Sequence, residues 1–187
     1  MKKAIFLDRD GVILRMLLEK GPKEIARNPG EVELLPGAAQ AIKRLRNFGL
    51  VVVVSNQPDV AKGKATIENI VATMKEMENK LSASGASLDG IYYCLHHPDS
   101  LQVVNKEYLL ECNCRKPKPG LILQAAKELG IDPEESWMVG DSPADIGAGK
   151  AAGCRTILIS RNHAPKIEEK PDFTAEDLGK AANIILN

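Results

Sequence analysis

The peptide that most constrains this chain is Lys3-Ala-Ile-Phe-Leu-Asp-Arg-Asp-Gly11. Residues 3–7 form an apolar run with Ile and Phe, cut off by charge and then by glycine, which predicts a short buried strand. Asp8 and Asp10 stand where that strand ends. In an open α/β sheet, ligands bind outside the carboxyl ends of the strands. Side chains alternate with a period of two, so these carboxylates project to one side. At that separation they repel unless a cation lies between them. The peptide therefore asks for a divalent metal, and Mg²⁺ is the hard ion suited to oxygen ligands near a phosphate. Taken alone, the same residues also suit a charged turn, because Asp-Gly is common in turns.

Downstream, apolar runs alternate with helical patterns, the signature of βαβ units on a parallel sheet. The segment from Val12 to Pro36 is irregular, with turn signals at Gly21-Pro22, Asn28-Pro29-Gly30 and Pro36-Gly37. Its length marks it as a functional loop. Helices are expected over 37–48, 64–84, 120–129, 143–152 and 175–186. Strands are expected over 50–54, 90–95, 137–140 and 155–159, with Phe173 in a short edge strand. The expected architecture is α/β: a three-layer, Rossmann-like, doubly wound and mostly parallel sheet, with residues 1–187 as one domain.

Three more strand ends carry chemistry. Ser55, followed by Asn56-Gln57-Pro58, offers a hydroxyl and turn N–H groups that suit phosphate oxygens, although serine there also serves as a turn or cap residue. Arg115-Lys116-Pro117-Lys118-Pro119-Gly120 runs into a helix. Cations at a helix N-terminus oppose its dipole unless an anion shares the site, so this segment suits a bound phosphate or a solvated basic turn. Asp141 leaves a buried strand as Asp8 does, and Asp145 follows four residues later on the same side. Asp141 also suits a helix N-cap and Asp145 a first-turn dipole partner; for Asp145 both readings can hold, while a metal at Asp8 and Asp10 needs a third oxygen ligand, which favours Asp141 for that role.

Cys94-x-His96 is followed, after fifteen intervening residues, by Cys112-x-Cys114. Three thiolates and one imidazole make a closed tetrahedral set, the mark of structural Zn²⁺; buried or redox-active thiols are the alternative. His97 could replace His96, but the matched spacing favours His96. Cys154 stands apart and reads as a core cysteine. His163 lies in a polar loop with no partner to assign.

In order, Asp8-Arg-Asp-Gly-Val, Ser55, Lys116 and Gly140-Asp141-x-x-x-Asp145 resemble the haloacid dehalogenase superfamily of phosphatases. The resemblance covers nearly the whole chain; each motif is weak alone and the ordered set is specific. Tyr92-Tyr-Cys-x-His-His-Pro, Cys-x-Cys-Arg-Lys-Pro-x-Pro-Gly, and Val53-Val-Ser-Asn-Gln with Ala61-Lys-Gly63 narrow it. They look like the D-glycero-D-manno-heptose 1,7-bisphosphate 7-phosphatases, whose histidinol-phosphate phosphatase relatives share a usually shorter zinc loop. Two stretches depart from that pattern. Leu14-Arg-Met-Leu-Leu stands where Asn and Gly-Tyr are expected, and Gln57-Pro58-Asp59 replaces Gln-Ser-Gly.

The resemblance implies a role for each residue. Asp8 is the expected nucleophile and Asp10 the general acid and base. Mg²⁺ is expected on the Asp8 carboxylate, the Asp10 backbone carbonyl and the Asp141 carboxylate, with Asp145 orienting the metal's waters or Lys116. Ser55 and Lys116 are expected on the transferring phosphoryl group, Asn56 on the substrate through its amide, and Arg115 near the sugar or its second phosphate. Zinc on Cys94, His96, Cys112 and Cys114 is expected to do no chemistry, only to hold the 94–114 loop so that Arg115 and Lys116 sit over the site.

Lys+Arg and Asp+Glu are both 25, so the chain carries no basic footprint for nucleic acid or anionic membrane. No apolar run approaches the roughly 20 residues of a membrane span. A cytoplasmic monomer acting on a small phosphorylated sugar is expected, with neither nucleic acid nor membrane as partner. No stretch between motifs is long enough for a large cap domain, so the inserts at 12–36, 55–63 and 94–114 must shape the pocket. The readings from other classes are a phospho-accepting receiver, against which Asp10 and the zinc loop argue, and a non-catalytic zinc module.

Overall fold

The computed structural model describes residues 1–17, 25–160 and 169–187; the Gly21-Pro22 turn signal and His163 lie outside them. Six strands form one sheet in the order β3-β2-β1-β4-β5-β6. They are β1 Ala4–Leu7, β2 Leu50–Asn56, β3 Gly90–Cys94, β4 Trp137–Gly140, β5 Arg155–Ile159 and β6 Phe173–Ala175. Every pairing between them is parallel. Five helices accompany them: α1 Ala38–Leu45, α2 Ile67–Ala83, α3 Gly120–Leu129, α4 Pro143–Ala151 and α5 Leu178–Leu186.

Strand alternation builds the three layers. Ile5, Leu7, Val51, Val53, Trp137 and Val139 enter one core with α1, α2 and α5. Ala4, Phe6, Val52, Val54 and Met138 enter a second core with α3 and α4. Burial on both faces is why these strands read as continuous apolar runs rather than as alternating ones.

The structure shifts several expected boundaries; helix α1 ends at Leu45 rather than 48, and three other shifts have a local cause. Strand β2 continues through Ser55 and Asn56, which pair with Tyr93 and Cys94, so Ser55 lies inside the strand rather than past it. Helix α2 starts at Ile67 and not at 64, because Thr66 Oγ1 caps it by accepting from Asn69 N at 3.2 Å. Helix α5 starts at Leu178 because residues 173–175 belong to β6 and Asp177 Oδ1 accepts from Lys180 N at 2.8 Å. Among the described residues, the excursions between core elements hold only the 3₁₀ turns Pro29–Glu31 and Lys106–Tyr108, so no large cap domain covers the sheet. None of the described helices is long and apolar enough to cross a membrane.

The chain steps from β1 outward to β2 and β3, then returns to β4 on the other side of β1. This reversal opens a crevice at the carboxyl ends of β1 and β4. Asp8 is the first residue after β1 and Asp141 the first after β4.

Candidate active site

The Asp8 N–H continues the ladder by donating to Val139 O at 2.9 Å. One carboxylate oxygen from each of Asp8, Asp141 and Asp145 lies within 4.8 Å of the others. Gly11 makes this possible. Its φ is +79°, and a Cβ there would collide with the Asp141 carboxylate, so the turn after β1 reaches that side chain only with glycine. A Cβ on Gly140 would likewise collide with the Asp145 side chain.

Lys116, 4% exposed, reaches across from the segment before α3. Its Nζ lies 2.9 Å from Asp8 Oδ1 and 2.5 Å from Asp145 Oδ1, and it donates to Val54 O at 2.8 Å. Burial works against its charge, but Asp145 and Asp8 outweigh burial and hold the ammonium above its usual range. The second oxygen of Asp145 accepts from Ser142 N at 3.0 Å and from Ser142 Oγ at 2.6 Å, which joins the start of α4 to the site. Asn56 grips the Lys116 backbone at both ends: Nδ2 donates to Lys116 O and Oδ1 accepts from Lys116 N, each at 3.0 Å.

Burial pushes the Asp8 carboxyl up to about 7; Lys116 opposes this, and Asp145 and Asp10 reinforce it. Three clustered carboxylates therefore share one ammonium in this crevice, an excess of negative charge that suits a further cation. Donors that are all hard oxygens fit Mg²⁺. The crevice opens into a cavity of about 420 Å³ lined by Asp8, Asp10, Asn56, Lys116, Asp141 and Asp145. Arg27, Pro58, Asp59, Lys62 and Lys64 complete its wall with Met16, Ile25 and Ser142. Ser55 and Arg115 are not among the lining residues. Ser55 is buried, and Arg115 Nη1 donates to His96 O at 3.2 Å, toward the 94–114 loop.

That loop gathers the four expected ligands. Cys114 Sγ lies 3.0 Å from Cys94 Sγ, 3.1 Å from Cys112 Sγ and 3.4 Å from His96 Nδ1. Cys94 Sγ lies 3.5 Å from Cys112 Sγ and 3.7 Å from His96 Nδ1. A tetrahedron with bonds of about 2.3 Å has edges of about 3.8 Å; these separations are somewhat shorter, and a donor set of three thiols and one imidazole gathered this closely suits Zn²⁺. All the cysteines are free thiols. His97 is turned away, accepting from Asp99 N at 3.2 Å. Cys154 sits in the core beneath α3 and α4, where burial pushes its thiol up to about 12.

A family model described as HAD-hydrolase-like matches residues 113–181. The chain is 38% identical over 187 residues to the D-glycero-beta-D-manno-heptose-1,7-bisphosphate 7-phosphatase of Pasteurella multocida, spanning 100% of this chain and 92% of that one. It is 39% identical over 179 residues to the enzyme of the same name from Escherichia coli K12, spanning 94% and 89%. The crystal structure of D,D-heptose 1,7-bisphosphate phosphatase from B. bronchiseptica, complexed with magnesium and phosphate, matches with a TM-score of 0.77 at 30% identity over 98% of both chains. The chain belongs to the haloacid dehalogenase-like phosphatases.

As a member of that family it is a phosphoric monoester hydrolase, and phosphoryl transfer in the family depends on Mg²⁺. Three features of this phosphatase's site went unread in the sequence. Arg9, fully buried, donates from Nε to Asp10 Oδ2 at 2.9 Å. Gln57, also fully buried, donates to Asp10 Oδ2 at 3.0 Å and to Ser55 Oγ at 2.9 Å. Asp59 pairs with Arg27 Nε at 2.7 Å on the cavity wall; Pro58-Asp59 is where the sequence departs from its family pattern.

Proposed function

We propose that this phosphatase removes the 7-phosphate of D-glycero-D-manno-heptose 1,7-bisphosphate, acting in the cytoplasm as a monomer whose residues 1–187 form one hydrolase domain. The observation that carries this reading is the meeting of Asp8, Asp141, Asp145 and Lys116 in a chain whose 38–39% identical relatives bear that enzyme's name.

Asp8 attacks phosphorus in line and forms an aspartyl-phosphate. Asp10 gives a proton to the leaving sugar oxygen and later takes one from the water that hydrolyses the intermediate. Lys116 holds the nucleophile and a phosphoryl oxygen, and Ser55 donates to another. The carboxylates of Asp8 and Asp141 and the carbonyl of Asp10 would hold Mg²⁺, which would supply positive charge to the transferring group. Asp145 keeps Lys116 charged and aimed. Asn56 holds that lysine through its amide, whose second Nδ2 hydrogen serves the substrate, and Arg115 serves the sugar side from the edge of the 94–114 loop. Cys94, His96, Cys112 and Cys114 would hold Zn²⁺, which would brace this loop.

Phosphate release from both anomers of the heptose bisphosphate and from histidinol phosphate, with Mg²⁺ supplied or withheld, tests the reading. The heptose substrate should be preferred, and turnover should require Mg²⁺. Preference for histidinol phosphate would move the protein to that neighbouring activity, and no release from any substrate would leave a non-catalytic zinc module.

A further inference from the structure

The Asp10 carboxylate is held unevenly. Its Oδ2 accepts from Arg9 Nε at 2.9 Å and from Gln57 Nε2 at 3.0 Å, and both donors are wholly buried. Arg9 is fixed in turn by donating to Thr73 Oγ1 at 3.1 Å and to Ala26 O at 3.4 Å. Gln57 is hung by its backbone N–H from Cys94 O at 2.7 Å, and its second amide hydrogen goes to Ser55 Oγ at 2.9 Å. The amide orientation is assigned from its partners: with Asp10 ionised, Nε2 meets a carboxylate oxygen, whereas the amide turned over would present its carbonyl oxygen there. Asp10 Oδ1 and Gln57 Oε1 are left buried without a partner. Such an acceptor is costly unless it has an occupant or a task, and Asp10 lines the cavity beside Asp8.

We infer that Gln57 is a positioning residue for proton transfer: with Arg9 it saturates Oδ2 of Asp10 and so reserves Oδ1 for the proton. The inference rests on Asp10 being the acid–base group of the proposed function. In the first half-reaction the proton leaves Oδ1 for the sugar oxygen as the sugar O–P bond breaks and the Asp8 O–P bond forms. In the second, water loses a proton to Oδ1 as its oxygen bonds phosphorus and the Asp8 O–P bond breaks. The same amide donates to Ser55 Oγ at 2.9 Å, so one buried side chain ties Asp10 and Ser55 together.

The leaving group tests this. A sugar alkoxide is strongly basic and needs the proton, whereas p-nitrophenolate leaves without it. For wild type and Gln57→Leu, kcat/KM is measured with a sugar phosphate that the wild type turns over and with p-nitrophenyl phosphate. Gln57→Leu should lose at least tenfold more on the sugar phosphate than on the aryl phosphate. Equal losses, or no loss, would overturn the inference, because a purely structural role, or one confined to Ser55, depresses both substrates alike. Adding Gln57→Leu to Asp10→Asn should leave the ratio of the two kcat/KM values where Asp10→Asn alone puts it, and a further fall would also overturn it. If Gln57→Leu does not fold, Gln57→Met keeps the side-chain length and is read in the same way. A wild type that cleaves only the aryl phosphate would sink the proposed function instead.

Discussion

Replacing Asp8 with asparagine should stabilise the Mg²⁺-free protein above pH 7 while abolishing turnover. The Asp8 carboxyl moves from 3.8 to about 7 on folding, chiefly through burial. Between those values the folded chain holds a proton that the unfolded chain has lost, so wild-type stability falls as pH rises through this window and is level above it. A gap of about three pH units corresponds to at most about 4 kcal/mol. Asparagine does not titrate and escapes this loss. Its neutral oxygen, however, accepts from Lys116 Nζ more weakly than the carboxylate does at 2.9 Å, so a net gain of about 2 kcal/mol is expected. Urea unfolding at pH 5 and pH 8, with zinc retained and Mg²⁺ withheld, measures it: the variant's advantage should be larger at pH 8. Mg²⁺ at a hundred times its dissociation constant should then favour wild type by about 2.7 kcal/mol and narrow or reverse the order. A variant no more stable than wild type at pH 8 would refute the claim that the site is short of positive charge.

Gly11→Ala should raise the Mg²⁺ concentration for half-maximal activity at least tenfold, because the added methyl displaces the Asp141 carboxylate; the positive φ costs only about 1 kcal/mol in addition. A Mg²⁺ titration of activity checks this. Cys112→Ser should bind less zinc than wild type by metal analysis and melt several degrees lower, since three ligands hold the loop less firmly than four. Asn56→Ala removes both hydrogen bonds to the Lys116 backbone and should cost about 1–3 kcal/mol in urea unfolding, with kcat down roughly tenfold. Unchanged kcat there would show that Lys116 is aimed by Asp145 alone.

The parts of the site legible in the sequence are those written over a few residues. Asp8 and Asp141 stood at ends of apolar runs that became β1 and β4, the two strands flanking the crevice. The paired spacing of Cys94, His96, Cys112 and Cys114 foretold the cage that closes. Strand alternation, helix stripes and caps act between near neighbours, so the sequence by itself determined which elements form, while several of their ends moved with pairing and capping in the fold. The tertiary structure alone decided who meets whom. Lys116 finds Asp8 and Asp145 only because β4 returns beside β1 and brings α4 with it, and Asn56 holds that lysine from across sixty positions of chain. Gln57 fell in a turn by sequence and became the link between Asp10 and Ser55, while Arg115 gains a hydrogen bond to His96 O that the sequence did not reveal. Partners so distant in sequence leave no periodic trace, because their contact depends on strand order and on which polar groups burial leaves in need of a hydrogen bond.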